Sequence, residues 1–305
     1  MPEQIPETAA GGTLKNPRLV TPDMLRAWPL PAPSGTKYTR GQAVVVGGSC
    51  ATPGAVLLAG VSALRMGAGK LHLGVAEGVA RHLAVAVPES GVTALAESSD
   101  GSVTGVGTGA ALERETSRAD GVLVGPGLDD REGSARLITE IVPTLGDETR
   151  VVLDAFGLTV LPDLDDSVVD ALRGRLVATP NSGELAYVLD RDEIPDDEVA
   201  EATLAAAKRY DAVVGCEQWV AADGRLWQVT TGDTGLGTSG SGDVVAGAAL
   251  GLLSRGAGRT QALVWAKYVH AAAGDALAMR LGRVGYLAGE LPDELPLVLR
   301  TLRGD

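Results

Sequence analysis

At 305 residues the chain is long enough for one large domain or two smaller ones, with a sizeable core in either case. Hydrophobic residues make up 45% and charged residues 21%, the usual mixture of a folded soluble protein, which excludes a disordered chain and a bundle of membrane spans. A formal net charge of −13 excludes general affinity for nucleic acid, because the surface repels a phosphate backbone, and 3% aromatic residues supply no stacking platform for single strands.

Residues 1–20, rich in Pro, Gly and Thr without hydrophobic periodicity, read as a loose leader ahead of a single domain over 21–305. The acids and prolines of this leader are unlike a signal peptide, and no stretch reaches the roughly 18 apolar residues of a membrane span. Cys50 and Cys216 lack a CxxC spacing or a flanking His, so neither a zinc site nor a disulfide is suggested. The expected location is the cytoplasm.

From Gln42 the chain reads QAVVVGGS, a short strand closed by glycines, then TPGAVLLAGVSALRMGAG, an apolar helix opened by Thr52 and Pro53. KLHLGVA, DGVLVGPG, RVVLDAFG, GRLVATPN and DAVVGCE repeat the strand pattern, separated mostly by segments of helix length. Such alternation predicts an α/β fold with a mostly parallel central sheet covered on both faces. Near the end, VVAGAALGLLS over 244–254 is apolar nearly all round and predicts a buried helix. QALVWAKYVHAAAGDALAMRLG predicts a second helix with Trp265, Val269, Ala272 and Met279 on one face.

The segment GDTGLGTSGSGD carries the chemistry. Gly235, Gly237, Gly240 and Gly242, with Thr238, Ser239 and Ser241, form a loop running into the buried helix at Asp243. Free N–H groups of such a loop, reinforced by the positive end of the helix dipole, bind phosphate or a developing negative charge. An acid placed there is favoured as the carboxylate and can take a hydroxyl proton beside the phosphate. The plainer reading is an ordinary glycine loop with a first-turn acid, but four glycines in eight positions exceed what a turn needs, since each costs backbone entropy. Other motifs fail on spacing: Gly69-Lys70 lacks the rest of a P-loop, GTSGS is not GxSxG, and VVVGGSCATPG is not GxGxxG. His72, His82 and His270 are scattered without metal-ligand spacing, which makes each a structural residue and leaves no protein-held metal site.

These segments together resemble the ADP-dependent NAD(P)H-hydrate dehydratases of the ribokinase-like superfamily. KYTRGQAVVVGGSCATPGAVLLAGVSALRMGAGKLHLGV resembles the family's opening strand, glycine turn and helix; DGVLVGPGL its GPGL segment; VVLDAFGL its LDA segment; VATPNSGELAYVL its TPHPGE segment; and GTSGSGD its anion loop. Order and spacing agree from about residue 37 to 298. The resemblance implies a ribokinase-like three-layer α/β/α fold. It also implies repair of hydrated NADH or NADPH: the β-phosphoryl of ADP, or a phosphoryl of ATP, passes to the hydroxyl of the hydrated ring, and phosphate then leaves to restore the dihydropyridine. Mg²⁺ is expected with the nucleotide.

Carried over by position, Asp243 assists the hydroxyl while the N–H groups of Gly240, Ser241 and Gly242 stabilise the transferring phosphoryl group. Pro53, Gly54, Ala55, Gly125, Gly127 and Asn181 are expected to face the hydrated dinucleotide. Gly215, Cys216, Glu217, Gln218 and Trp219 stand where the family commonly has KGNQT against the nucleotide, and Gly242 touches its AMP portion. Asp154 of the LDA segment either acts near the ring or caps a loop. Two departures stand out, since the family's His is Asn181 here and its Lys is Gly215. They keep two alternatives open, a small-molecule kinase of the same superfamily and a nucleotide-binding module without turnover. The resemblance further implies a separate epimerase as pathway partner, and a homo-oligomer is expected, with the apolar first helix as one candidate interface.

Overall fold

The chain opens with a two-residue strand, β1 (Arg18–Leu19), and a short helix, α1 (Pro22–Arg26), whose start Thr21 fixes by accepting from the Met24 N–H. There follow β2 (Gln42–Val46), α2 (Pro53–Arg65), β3 (Lys70–Ala76), α3 (Glu77–Ala86), β4 (Ser90–Leu95), α4 (Thr108–Thr116), β5 (Gly121–Val124), α5 (Arg131–Ile141), β6 (Arg150–Leu153), α6 (Ala155–Thr159) and α7 (Asp166–Leu172). The second half runs β7 (Leu176–Ala178), α8 (Ser182–Val188), α9 (Val199–Tyr210), β8 (Val213–Cys216), β9 (Trp219–Ala222), β10 (Arg225–Gln228), α10 (Ser241–Ser254), α11 (Arg259–Leu281) and α12 (Leu291–Arg303). This is a computed structural model, and it describes residues 3–32 and 35–303.

The strands form one sheet in the order β1-β10-β9-β8-β7-β6-β5-β2-β3-β4. Only β9 runs antiparallel to its neighbours. After β4 the chain crosses back to the other side of β2 and lays down β5, so connections leave β2 and β5 in opposite directions. A crevice opens outside the carboxyl ends of the strands at such a switch point, and ligands of open α/β sheets bind there. Alternation along each strand fills two cores. Ala43, Val45, Leu123 and Val152 join residues of α2, α10, α11 and α12 on one face, while Val44, Val46, Val122 and Val151 join residues of α4, α5, α8 and α9 on the other. The three-layer α/β/α arrangement is the expected one.

All six sequence-read strands are present. Four strands escaped that reading. β4 has no apolar run and is mostly accessible, and β1 is only two residues long. β9 and β10 form a hairpin around Asp223-Gly224, both at positive φ (49° and 71°), an Asp-Gly signal that sequence reading could have used.

Two further expectations are corrected. Residues 3–20 are not a loose leader. Ala9 is buried and its carbonyl accepts from Trp227 Nε1–H at 2.9 Å, Gly12 bonds Leu226 in both directions, and the Glu3 carboxylate accepts from the Thr260 and Gln261 N–H groups at 2.8 and 2.9 Å. The segment is ordered by backbone bonds and by covering Trp227, which leave no periodic signature. Met279, expected on the buried face of α11, is 89% exposed, because the helix outruns the core after Leu277.

α10 lies directly on α2. A Cβ at Gly247 would meet Ala59 O at 2.1 Å, and one at Gly251 would meet Ala63 O at 2.4 Å, so the two backbones touch where no side chain can fit. The paired numbers rise together along both helices, so α2 and α10 run parallel and their N-termini open at the same end. Gly247→Ala is expected to destabilise the fold by at least about 2 kcal/mol, read as a lower denaturation midpoint, because the clash is with backbone rather than a flexible side chain. Among the described residues no helix is long and apolar enough to cross a membrane.

Candidate active site

Gly240 caps α10 in a left-handed conformation, φ 91°, and Ser241, Gly242 and Asp243 make its first turn. The preceding loop is clamped from α11 and beyond. Asp275 accepts from Thr231 Oγ1–H and from the Gly232 N–H, and Asp233 accepts two bonds from the Arg283 guanidinium at 2.6 and 2.7 Å. The Ser241 N–H donates to Thr238 O at 3.2 Å, and its hydroxyl turns inward to His270 Nε2 at 2.9 Å. Of the three donors expected here, Ser241 is therefore already engaged. The N–H groups of Gly240, Gly242 and also Asp243 have no partner among the described residues, and nothing lies within 4 Å of where a Gly242 Cβ would sit.

A cavity of about 510 Å³ opens against this turn, with Gly242 and Val245 of α10, Lys267 and His270 of α11, and Asn181 in its wall. Of the expected nucleotide wall, Gly215, Glu217 and Gln218 line it, but Cys216 and Trp219 do not. Strand alternation is the reason: Cys216 is fully buried in the core of the opposite sheet face, where Trp219 also packs, and burial pushes the Cys216 thiol up to about 12. Glu217 occupies the tight β8–β9 turn at φ 47°, uncommon for a residue with a side chain. His270 is the structural residue the sequence suggested. Burial first and Lys267 second push it down to about 3, so it is a neutral imidazole that orients Ser241.

Asp243 does not line this cavity. Its electrostatic neighbours are Glu184 and Asp154. Asp154 follows β6, is 5% exposed and accepts from Thr179 Oγ1–H at 2.8 Å; burial, then Glu184 and Asp243, push it up to about 8, so it is a neutral acid at pH 7. Asp243 is only half-buried, and burial followed by Glu184 raises it to about 6. The dipole argument expected the carboxylate to be favoured; burial beside a second acid acts against it and brings the group into the range where a base can both gain and lose a proton. Glu184 is held by a capping box with Asn181: Asn181 Oδ1 accepts from the Glu184 N–H at 2.8 Å, and Glu184 Oε2 accepts from the Asn181 N–H at 3.0 Å. The side-chain oxygen of Asn181 is thus already used by its own helix.

Pro53, Gly54 and Ala55 form the first turn of α2 at the same edge, and nothing lies within 4 Å of a Cβ built on Gly54. Gly125 and Gly127 instead join the switch point together. Their missing side chains would strike Asp154 O at 1.7 Å and Thr52 O at 2.3 Å, while the Gly48 and Ser49 N–H groups donate to Pro126 O and Gly127 O at 2.8 Å. None of these five residues borders the cavity. They lie toward α2, whose Leu58 contacts the Gly240 position. The first turn of α10 thus borders the cavity through Ser241 and Gly242, while Asp243 stands off it near Glu184 and Asp154. Lys267 and Glu184 were not singled out by sequence, and His270 was read there only as a structural residue.

The model of the family described as NAD(P)H-hydrate dehydratase matches residues 43–297. The chain belongs to the NAD(P)H-hydrate dehydratase family. It is 42% identical to an ADP-dependent (S)-NAD(P)H-hydrate dehydratase of Xanthomonas campestris, over 93% of this chain and 97% of the relative. Among solved structures it is similar to an ADP/ATP-dependent NAD(P)H-hydrate dehydratase of Bacillus subtilis co-crystallised with ATP and Mg²⁺, with TM-score 0.76, 27% identity, and 93% and 98% of the two chains covered. The fold is ribokinase-like: a ribokinase-like superfamily protein of Enterococcus faecalis superposes with TM-score 0.80 at 20% identity over 94% and 97% of the chains. The chain spans 57% of the bifunctional NAD(P)H-hydrate repair enzyme of Moorella thermoacetica, to which it is 34% identical.

Proposed function

We propose that the protein is an ADP-dependent (S)-NAD(P)H-hydrate dehydratase: it transfers a phosphoryl group from ADP to the hydroxyl of the hydrated nicotinamide ring, and phosphate then departs from the ring carbon as the neighbouring ring carbon loses a proton, restoring the double bond and leaving NAD(P)H, AMP and phosphate. The observation that carries this reading is the α10 first turn itself, its Gly240, Gly242 and Asp243 N–H groups unpartnered among the described residues, set against a cavity of about 510 Å³ and followed at once by the carboxylate Asp243. In this reading the nucleotide lies in the cavity against Gly215, Glu217, Gln218 and Gly242, and the hydrated dinucleotide enters over the first turn of α2. Phosphoryl transfer then relies on position and charge: the N–H groups of Gly240, Gly242 and Asp243 hold the moving phosphoryl oxygens, and Asp243 receives the hydroxyl proton.

No group of three or more His, Cys, Asp or Glu among the described residues is placed to hold a metal ion. That suits Mg²⁺, which keeps most of its waters and is commonly bound through one or two carboxylates and substrate phosphates. The ion would enter with the nucleotide's phosphates and neutralise their charge, leaving Asp243 to take the proton. An NAD(P)H-hydrate epimerase is proposed as its pathway partner.

The test is to incubate the purified protein with hydrated NADH, ADP or ATP, and Mg²⁺, following the near-ultraviolet absorbance of the restored ring. Absorbance should return with release of AMP and phosphate. A stable phosphorylated product with no absorbance would instead favour a kinase. Because Asp243 must be unprotonated to accept the proton, kcat/KM is expected to fall as pH drops through an apparent pKa of about 6 and to level off above it.

A further inference from the structure

Among the residues lining the cavity, Lys267 is the only lysine or arginine: His270 is neutral, Glu217 and Asp233 are acids, and Arg283, paired with Asp233, lies outside. Lys267 sits in the middle of α11, on an otherwise apolar and alanine-rich stretch, and it makes no hydrogen bond or ion pair with any described residue. Burial holds its ammonium below the usual lysine range, opposed in order by the nearby Cys216, Glu217 and Asp154. Lys267 is half-buried, and an ammonium there without a protein partner is stabilised by an anion that comes to it from the cavity. The strand facing it makes room. Gly215 carries no side chain, and a Cβ there would press on Leu263 at 2.9 Å, one helical turn before Lys267 on α11. Gly215 and Lys267 both line the cavity, the strand position bare and the helix position charged.

We propose that Lys267 is the cationic contact for the nucleotide's phosphates, reaching the cavity from α11 across the bare strand position Gly215. The inference rests on the reading of this cavity as the nucleotide half-site. With Gly242 offering an unpartnered N–H from one wall and Lys267 an ammonium from another, a phosphate entering the cavity meets donors on two sides. Adenosine, which has no phosphate, gains nothing from Lys267. That difference separates a phosphate contact from a general role in shaping the cavity.

Calorimetric titration of the wild type, Lys267→Met and Lys267→Arg with ADP and with adenosine tests the assignment. Lys267→Met should weaken ADP binding by about 10- to 100-fold, the range of a charge-assisted bond, while leaving adenosine affinity within about 2-fold. Lys267→Arg should recover most of the ADP affinity. The Met variant should melt no lower than the wild type, since it removes an unpaired charge of similar volume. Unchanged ADP affinity in Lys267→Met, or an equal loss for ADP and adenosine, overturns the assignment. A wild type that binds ADP but never restores the nicotinamide ring would overturn the dehydratase reading and leave the Lys267 assignment standing on the binding data. A wild type that binds neither ligand overturns both.

Discussion

Replacing Asp243 by Asn is expected to lower turnover by at least about two orders of magnitude, the low end of what a positioned general base contributes, while the protein stays folded. Asn keeps the size and one acceptor oxygen of the side chain and removes only the ability to take a proton. The stability consequence has a definite sign. Folding raises the Asp243 carboxyl from 3.8 to about 6, so the folded state binds more protons than the unfolded chain between those values. The cost of holding the charge is absent below pH 4, grows as pH rises through that window and is complete above about pH 6. Asn never carries that charge. The variant should therefore match the wild type in melting temperature at pH 4 and equal or exceed it at pH 7, by no more than about 1 kcal/mol for a half-exposed group. Loss of activity together with loss of stability at pH 7 would mean that Asp243 holds the helix rather than the proton.

Deleting residues 1–20 is the second large perturbation, and it should destabilise the protein by about 3 kcal/mol or more or prevent soluble expression. Three separate losses add up. The Trp227 ring, fully buried and packed against Gly11, would become exposed at its edge, and uncovering a large side chain costs about 1.5–3 kcal/mol. Its Nε1–H would lose the Ala9 carbonyl, and α11 would lose the Glu3 carboxylate that receives two of its first N–H groups. Glu3→Ala isolates the last effect and should cost about 1 kcal/mol, as loss of a helix cap does. Chemical denaturation of the three proteins checks the order: wild type, then Glu3→Ala, then the deletion. A deletion variant as stable as the wild type would restore the segment to the status of a leader.

That segment marks where local sequence stops being informative. The strand-glycine-helix units could be read because each is written contiguously: QAVVVGGS ahead of TPGAVLLAG, and GTSGSGD ahead of VVAGAALGLL, give the turn, the cap and the apolar helix in order. The same contiguity made the α10 anion turn legible, and with it Asp243. Glu184 and Lys267 could not be read this way, because they reach Asp243 and the cavity only after α8 and α11 have packed. The one local hint was a lysine one turn beyond Leu263 in WAKYVHAAAG, a charge where the helix face is otherwise apolar. Residues 215–219 divide because Gly215 and Cys216 alternate on β8, Cys216 and Trp219 packing in the opposite core while Glu217 and Gln218 turn between β8 and β9 at the cavity.

The turn that begins α10 is the place where two ligands are expected to meet. If the nucleotide brings its phosphoryl group to this turn and the hydrated ring its hydroxyl, as proposed, the two ligands share the same few atoms. Whatever one ligand does to the orientation of Gly242 and Asp243 is felt by the other, and the coupling is reciprocal at equilibrium.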